Sequence, residues 1–137
     1  MDDLAAIGVT AGSAMRAQSL RMRVISENMA NAQTTGTTPG ADPYRRKTVD
    51  FAAAVDAASG AETVAVEGIG EDPSQFGMKY EPGHPAADVA GYVKTPNVNA
   101  MVELANMREA SRSYEANLNM VEAGRRMKSQ LLSMMGN

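Results

Sequence analysis

The chain has 137 residues with 16 acidic and 13 basic side chains, so it is at most one domain's worth of chain and lacks the basic footprint of a nucleic-acid binder. Aromatic residues make up only 4%, Trp is absent and Met occurs 11 times, so the rigid side chains that wall a deep catalytic pocket are scarce. The absence of cysteine excludes a disulfide framework, a thiolate nucleophile and a Cys-based zinc site.

The start, Met1-Asp2-Asp3-Leu4, has neither the basic region nor the apolar run of a cleaved secretion signal. No stretch approaches the ~18 apolar residues of a membrane span. The expectation is a soluble chain that inserts in no membrane and, if it acts outside the cytoplasm, leaves by a route that reads no such signal. All six prolines lie between Pro39 and Pro96, and eight of the twelve glycines between Gly36 and Gly91, so the two ends are nearly free of helix breakers.

From Asp2 to Gln33, small or apolar residues recur at Leu4, Gly8, Ala11, Met15, Met22, Ile25, Met29 and Ala32, four and three apart, with Gln18 interrupting. This is a heptad seam and predicts a helix of roughly 45 Å. Asp2 and Asp3 suit its positive end, and Thr34-Thr35-Gly36 followed by Pro39 supplies the stop, with Gly36 expected in the left-handed conformation of a C-cap. Thr and Asn near that end have the chemistry to satisfy terminal backbone groups.

The central zone carries nine acidic residues from Asp42 to Asp88 against five basic ones. Thr63 to Glu67 alternates apolar and polar, while Phe76 to Tyr80 and Tyr92 to Lys94 are short, aromatic and bounded by Gly or Pro, which predicts two to four short strands. Arg45-Arg46-Lys47 reads as a basic guard on an edge strand. His84, the only histidine, has no second and third ligand at metal-binding spacing, and Gly68-Ile69-Gly70 lacks the remainder of a phosphate cradle. No catalytic constellation, metal site or cofactor is expected. After Pro96 a second long helix is predicted to about Met135. One stripe runs through Leu104, Met107, Ser111, Tyr114, Leu118, Val121, Leu132 and Met135, and a second through Met120, Gly124, Met127, Leu131 and Met134. A helix with two apolar seams has more surface than one partner helix covers, so contact with a neighbouring molecule is expected.

The predicted fold is mainly α with a small β insert. Long N- and C-terminal helices pack as an antiparallel coiled-coil hairpin around a short-stranded central region, with boundaries at 1–36, 37–96 and 97–137.

Ser26-Glu27-Asn28-Met29-Ala30-Asn31-Ala32-Gln33-Thr34-Thr35-Gly36 resembles the signature of bacterial flagellar axial proteins, in which a helix ends in Asn-Leu-Ala-Asn-x-x-Thr-x-Gly. Ser111-Arg112-Ser113-Tyr114-Glu115-Ala116-Asn117 resembles the matching signature at the other end. Pro43-Tyr44-Arg45-Arg46-Lys47 and Gly91-Tyr92-Val93-Lys94-Thr95-Pro96-Asn97-Val98 are similar to the proximal-rod members, as is the short insert. The chain departs from the family at Thr37 to Pro43, which separate the Thr-x-Gly element from Tyr44. The resemblance implies a structural subunit of the proximal rod of the flagellar basal body. Such a subunit is exported through the flagellar type III apparatus and polymerised in the periplasmic space, with itself and other rod subunits, into a hollow helical drive shaft. It leaves open contacts with the base of the export gate or ring and with enclosing ring proteins.

The seams then become expected assembly contacts at Met15, Met22, Ile25 and Met29, and at Leu104, Tyr114, Leu118, Val121, Met127 and Leu131. The signatures add Asn28, Asn31, Thr34 and Gly36, together with Glu115 and Asn117; for the Asn, Thr and Gly group at the first helix end, capping and a direct intersubunit role are compatible. The rival reading is a helical adaptor or chaperone of the export apparatus. A small hydrolase lacks an assembled nucleophile, base and orienting group.

Overall fold

The computed structural model describes residues 2–136. Helix α1 spans Asp2–Ala30 and helix α2 spans Ala100–Met135, with strands β1 Lys47–Val55, β2 Glu62–Glu71, β3 Gly77–Tyr80 and β4 Tyr92–Thr95 between them. Asn99 caps α2: its side-chain oxygen accepts the Met101 and Val102 amides at 3.0 and 3.3 Å. Asp2 and Asp3 occupy the first turn of α1, where the helix dipole favours them.

β1 and β2 form one two-stranded sheet, and β3 and β4 another, antiparallel, with Gly77 opposite Thr95 and Tyr80 opposite Tyr92. At the turn after β1 the Asp56 amide donates to the Ala61 carbonyl and the Gly60 amide to the Asp56 carbonyl, at 2.9 and 2.8 Å. Gly60 sits there at φ 71°, a conformation that strains any residue with a Cβ.

The chain divides into two compact units. The first comprises Met1–Met22, Asp50–Gly68 and Arg108–Asn137, and the second Arg23–Val49 and Ile69–Met107. Small residues make the core of the first, in Ala11, Ala17, Ala61 and Ala110 with the Ser13 hydroxyl. That hydroxyl donates to the Thr10 carbonyl at 2.8 Å and accepts the Val64 amide at 3.1 Å, so β2 lies directly on α1. The second unit is centred on Val24, Ile25, Ala86 and Val93, with Asn28 and Glu103 as its buried polar side chains.

The expected antiparallel coiled-coil hairpin is not what the chain forms. Strands hold about a fifth of the residues, in two separate sheets, and both helices are shared between two units. The cause is visible on α1. Of the heptad positions only Ala11 and Ile25 are buried; Met15 and Met22 are half-buried and Met29 is exposed. The buried line runs instead through Ala11, Ser13, Ala17, Val24, Ile25 and Asn28, and its Ser13 and Asn28 side chains bond strand backbone directly. The helix also stops at Ala30, short of Gln33.

Candidate assembly site

In the second unit the residues of the first signature form a connected polar joint. Asn28, 1% exposed, holds the start of β1 with both ends of its amide. Its Nδ2 donates to the Lys47 carbonyl and its Oδ1 accepts the Lys47 amide, both at 2.9 Å, so the side chain mimics a neighbouring strand. The same oxygen accepts the Tyr44 hydroxyl at 2.8 Å. Burial, with smaller effects from neighbouring charges, holds the Tyr44 phenol above its ordinary pKa. Lys47 turns its ammonium to Glu27 at 3.1 Å, and that hydrogen bond raises the lysine's pKa.

Asn31 Nδ2 donates back to the Glu27 carbonyl at 2.9 Å and satisfies a terminal carbonyl of α1, while the Thr34 hydroxyl donates to Asn31 Oδ1 at 3.0 Å. The Thr34 carbonyl in turn accepts the Tyr44 amide at 3.0 Å. Gly36 is not in the left-handed region expected of it; the positive-φ glycines are Gly40, Gly60 and Gly91. A glycine is needed at 36 because an added Cβ would come within 2.5 Å of the Ala41 Cβ.

A second joint was not legible in the sequence. Arg46 Nε donates to Oε1 of Glu103, which is 0% exposed, and Arg46 Nη1 reaches Asp72 Oδ2 at 3.5 Å. The Arg46 amide donates to Asn97 Oδ1 at 2.8 Å, and Asn97 Nδ2 donates to the Asp72 and Ser74 carbonyls. Arg45 donates to the same two carbonyls and lies 4.1 Å from the Phe76 ring centre. The Ser74 amide and hydroxyl, assisted by Arg46, hold the Asp72 carboxyl below its ordinary range. Arg45, Arg46 and Lys47 are therefore internal ties, where the sequence reading makes them an edge guard. His84 is a loop staple: Nδ1 accepts the Ala86 amide at 3.0 Å, which leaves the ring proton on Nε2 to face the Thr35 hydroxyl at 3.2 Å.

The structure places Ile25, Asn28, Met29, Asn31, Thr34, Gly36 and Leu104 in the second unit, and the remaining expected contact residues in the first. Of the latter, Met15, Met22, Tyr114, Asn117 and Val121 are half-buried, whereas Glu115, Leu118, Met127 and Leu131 are exposed. Asn117 Nδ2 donates to the Ser113 carbonyl of its own helix at 2.8 Å. From Arg125 to Met135 every residue of α2 is exposed, including Met127, Leu131, Leu132, Met134 and Met135. A groove lined by Leu4, Ile7 and Gly8 of α1 and by Met120, Val121 and Gly124 of α2 opens in the same unit. Among the described residues no group of three metal-ligating side chains forms, and no helix is long and apolar enough to cross a membrane.

Residues 9–37 match the family described as flagella basal body rod protein, and residues 89–134 the one described as flagellar basal body rod FlgEFG protein C-terminal. A flagellar basal-body rod protein FlgC of Agrobacterium fabrum is 50% identical over 135 residues, 98% of this chain and 97% of that protein. The protein of that name from Salmonella typhimurium is 44% identical over 90% of this chain and 92% of its own length. The one from Borreliella burgdorferi is 36% identical over 91% and 93%.

Proposed function

We infer the function from this premise: the chain belongs to the flagellar basal-body rod protein family, and it is a structural subunit of the flagellar basal-body rod. The observation that carries the reading is identity of 50% and 44% to rod proteins over nearly the whole of both chains. The chain assembles with other rod components of the basal body.

Our reading goes further on four points. The subunit belongs to the proximal part of the rod, passes through the flagellar type III export apparatus, polymerises in the periplasmic space, and transmits torque as part of a hollow helical shaft. A shaft that must not slip needs many subunits joined over extensive buried surface, and a contact between two different patches propagates as a helix. The exposed apolar side chains of α2 at Met127, Leu131, Leu132, Met134 and Met135 support such a contact. In this reading Leu118, Val121, Met127 and Leu131, with Tyr114, Glu115 and Asn117 before them, meet neighbouring subunits. Met15 and Met22 are further contact positions of the first unit, and Ile25, Asn28, Met29, Asn31, Thr34, Gly36 and Leu104 are those of the second.

The test is electron microscopy of cells in which the chain is deleted and then restored. Rods are expected to be missing from the deletion and to return with the wild-type chain. Intact rods in the deletion strain would overturn the reading.

A further inference from the structure

The longest stretch of the chain with charge of a single sign does not fall on the terminal helices. From Thr48 to Met78 there is no basic residue and there are six acidic ones, while from Ala123 onward there is no acidic residue and Arg125, Arg126 and Lys128 are basic. Within the first unit the acidic stretch supplies Asp50, Asp56, Glu62 and Glu67 on the β1–β2 ribbon. The Asp56 carboxylate is spent on its own turn, where it accepts the Ser59 hydroxyl and amide at 2.6 and 2.8 Å. Asp50, Glu62 and Glu67 are exposed, and among the described residues no ion pair joins them, or Arg125, Arg126 and Lys128, to any side chain.

Both patches are apolar as well as charged. Alternation along β1 turns Ala52 and Ala54 inward and leaves Phe51, Ala53 and Val55 exposed. Ala61, just ahead of β2, is buried; within β2 Thr63 is half-buried, whereas Val64 and Val66 are exposed. On α2, Met127, Leu131 and Met134 form one exposed ridge, and Arg125, Lys128, Leu132 and Met135 the adjacent one, at helical spacings of three and four. The lengths agree: six residues of β1 from Asp50 to Val55 span about 20 Å, and twelve residues of α2 from Gly124 to Met135 about 18 Å.

Resting on the reading of the chain as a rod subunit, we propose that the outer face of the β1–β2 ribbon of one copy docks on the basic, apolar last three turns of α2 of a second copy. Phe51, Val55, Val64 and Val66 lie on the Met127–Leu131–Met134 ridge. Glu62, on the same face as Val64 and Val66, meets Lys128 of the adjacent ridge, while Asp50 and Glu67, on the opposite face of the ribbon, add only to its negative field. The two patches differ, so the contact is heterologous and adds copies in one direction without closing. Its area, on the order of 200 Å² for a two-stranded ribbon of that length, is well below the roughly 800 Å² per partner of a stable complex. Dilute chain therefore stays monomeric, and the contact forms only together with the others of the growing rod.

The native absence of cysteine gives a clean experiment. Val66→Cys and Leu132→Cys variants are expressed together in a strain lacking the native copy, and purified basal bodies are oxidised and resolved by mass. A disulfide-linked dimer of this chain is expected from the pair and from neither variant alone. The pair Val64→Cys with Leu131→Cys, also at exposed positions, serves as the second readout. Lys128→Glu should reduce the dimer several-fold, and Glu62→Lys on the other copy should restore it. Basal bodies that contain both variants without a dimer, a dimer from one variant alone, or a cross-link to a different protein would each overturn the docking while leaving the rod reading intact. Absence of the wild-type chain from basal bodies would overturn both.

Discussion

Replacing Asn28 by Ala removes three hydrogen bonds at once, to the Lys47 amide, the Lys47 carbonyl and the Tyr44 hydroxyl, at 2.9, 2.9 and 2.8 Å. Each contributes about 1 kcal/mol net, and partners left dry cost more than partners that rehydrate. Lys47 and Tyr44 are half-buried, so water reaches part of the joint, and the expected loss is about 3 kcal/mol. That is roughly a hundredfold shift in the folding equilibrium. Urea denaturation followed by circular dichroism reads it as a lowered midpoint at unchanged slope. Asn28→Asp keeps the accepting oxygen but sets a second oxygen against the Lys47 carbonyl, so it should also fall well below wild type. Asn117→Ala, which removes one bond to its own helix, is the control and should cost less than about 1 kcal/mol. Equal midpoints for Asn28→Ala and Asn117→Ala would refute the reasoning that the signature asparagine is the joint between α1 and β1.

Arg46→Met leaves the Glu103 carboxylate buried without its partner and should cost about 3 kcal/mol or more in the same assay, while Arg46→Met with Glu103→Leu should recover most of the loss. Gly91→Ala should be destabilising by about 1–2 kcal/mol from its left-handed backbone at φ 87°, and more because the new Cβ would come within 2.8 Å of the Tyr80 ring; a thermal melt checks it. The Ser59 hydroxyl and amide lower the Asp56 pKa from 3.8, so the turn's contribution to stability is complete above that value and is lost as pH falls through the lowered one; the Ser59 amide chemical shift should follow that step. Asp72, lowered chiefly by Ser74, should act in the same direction. Leu131→Asp, at an exposed position, should leave the denaturation midpoint unchanged and abolish swimming, whereas Ile25→Asp, at a buried one, should lower the midpoint as well.

Breaker distribution placed the two helices in the sequence, because Pro and Gly cluster between Gly36 and Pro96 and nowhere else. The partner of those helices was not legible. A heptad of Leu4, Met15, Met22 and Met29 reads as a seam for another helix, but the tighter surface of α1 is its alanine and serine line, which brings strand backbone closer than a Met row permits. The weak strand propensity of Ala52-Ala53-Ala54 hides β1 in the sequence, and Gly68 and Gly70 interrupt the alternation of β2, so only its first half reads as a strand. The capping chemistry of Asn31 and Thr34 was legible from residue type and position. The Arg46–Glu103 joint was not, because its members lie 57 residues apart and nothing in an isolated Glu beside Leu104 marks it as buried.

The most direct test of the central claim is a copy count of this chain in purified flagellar basal bodies, by mass spectrometry against isotope-labelled peptides. A structural rod subunit should be present in a fixed number of several copies per particle, in constant ratio to the other rod proteins. A chain absent from the finished particle, in cells where its deletion still blocks export, would contradict the account and make it an adaptor of the export apparatus.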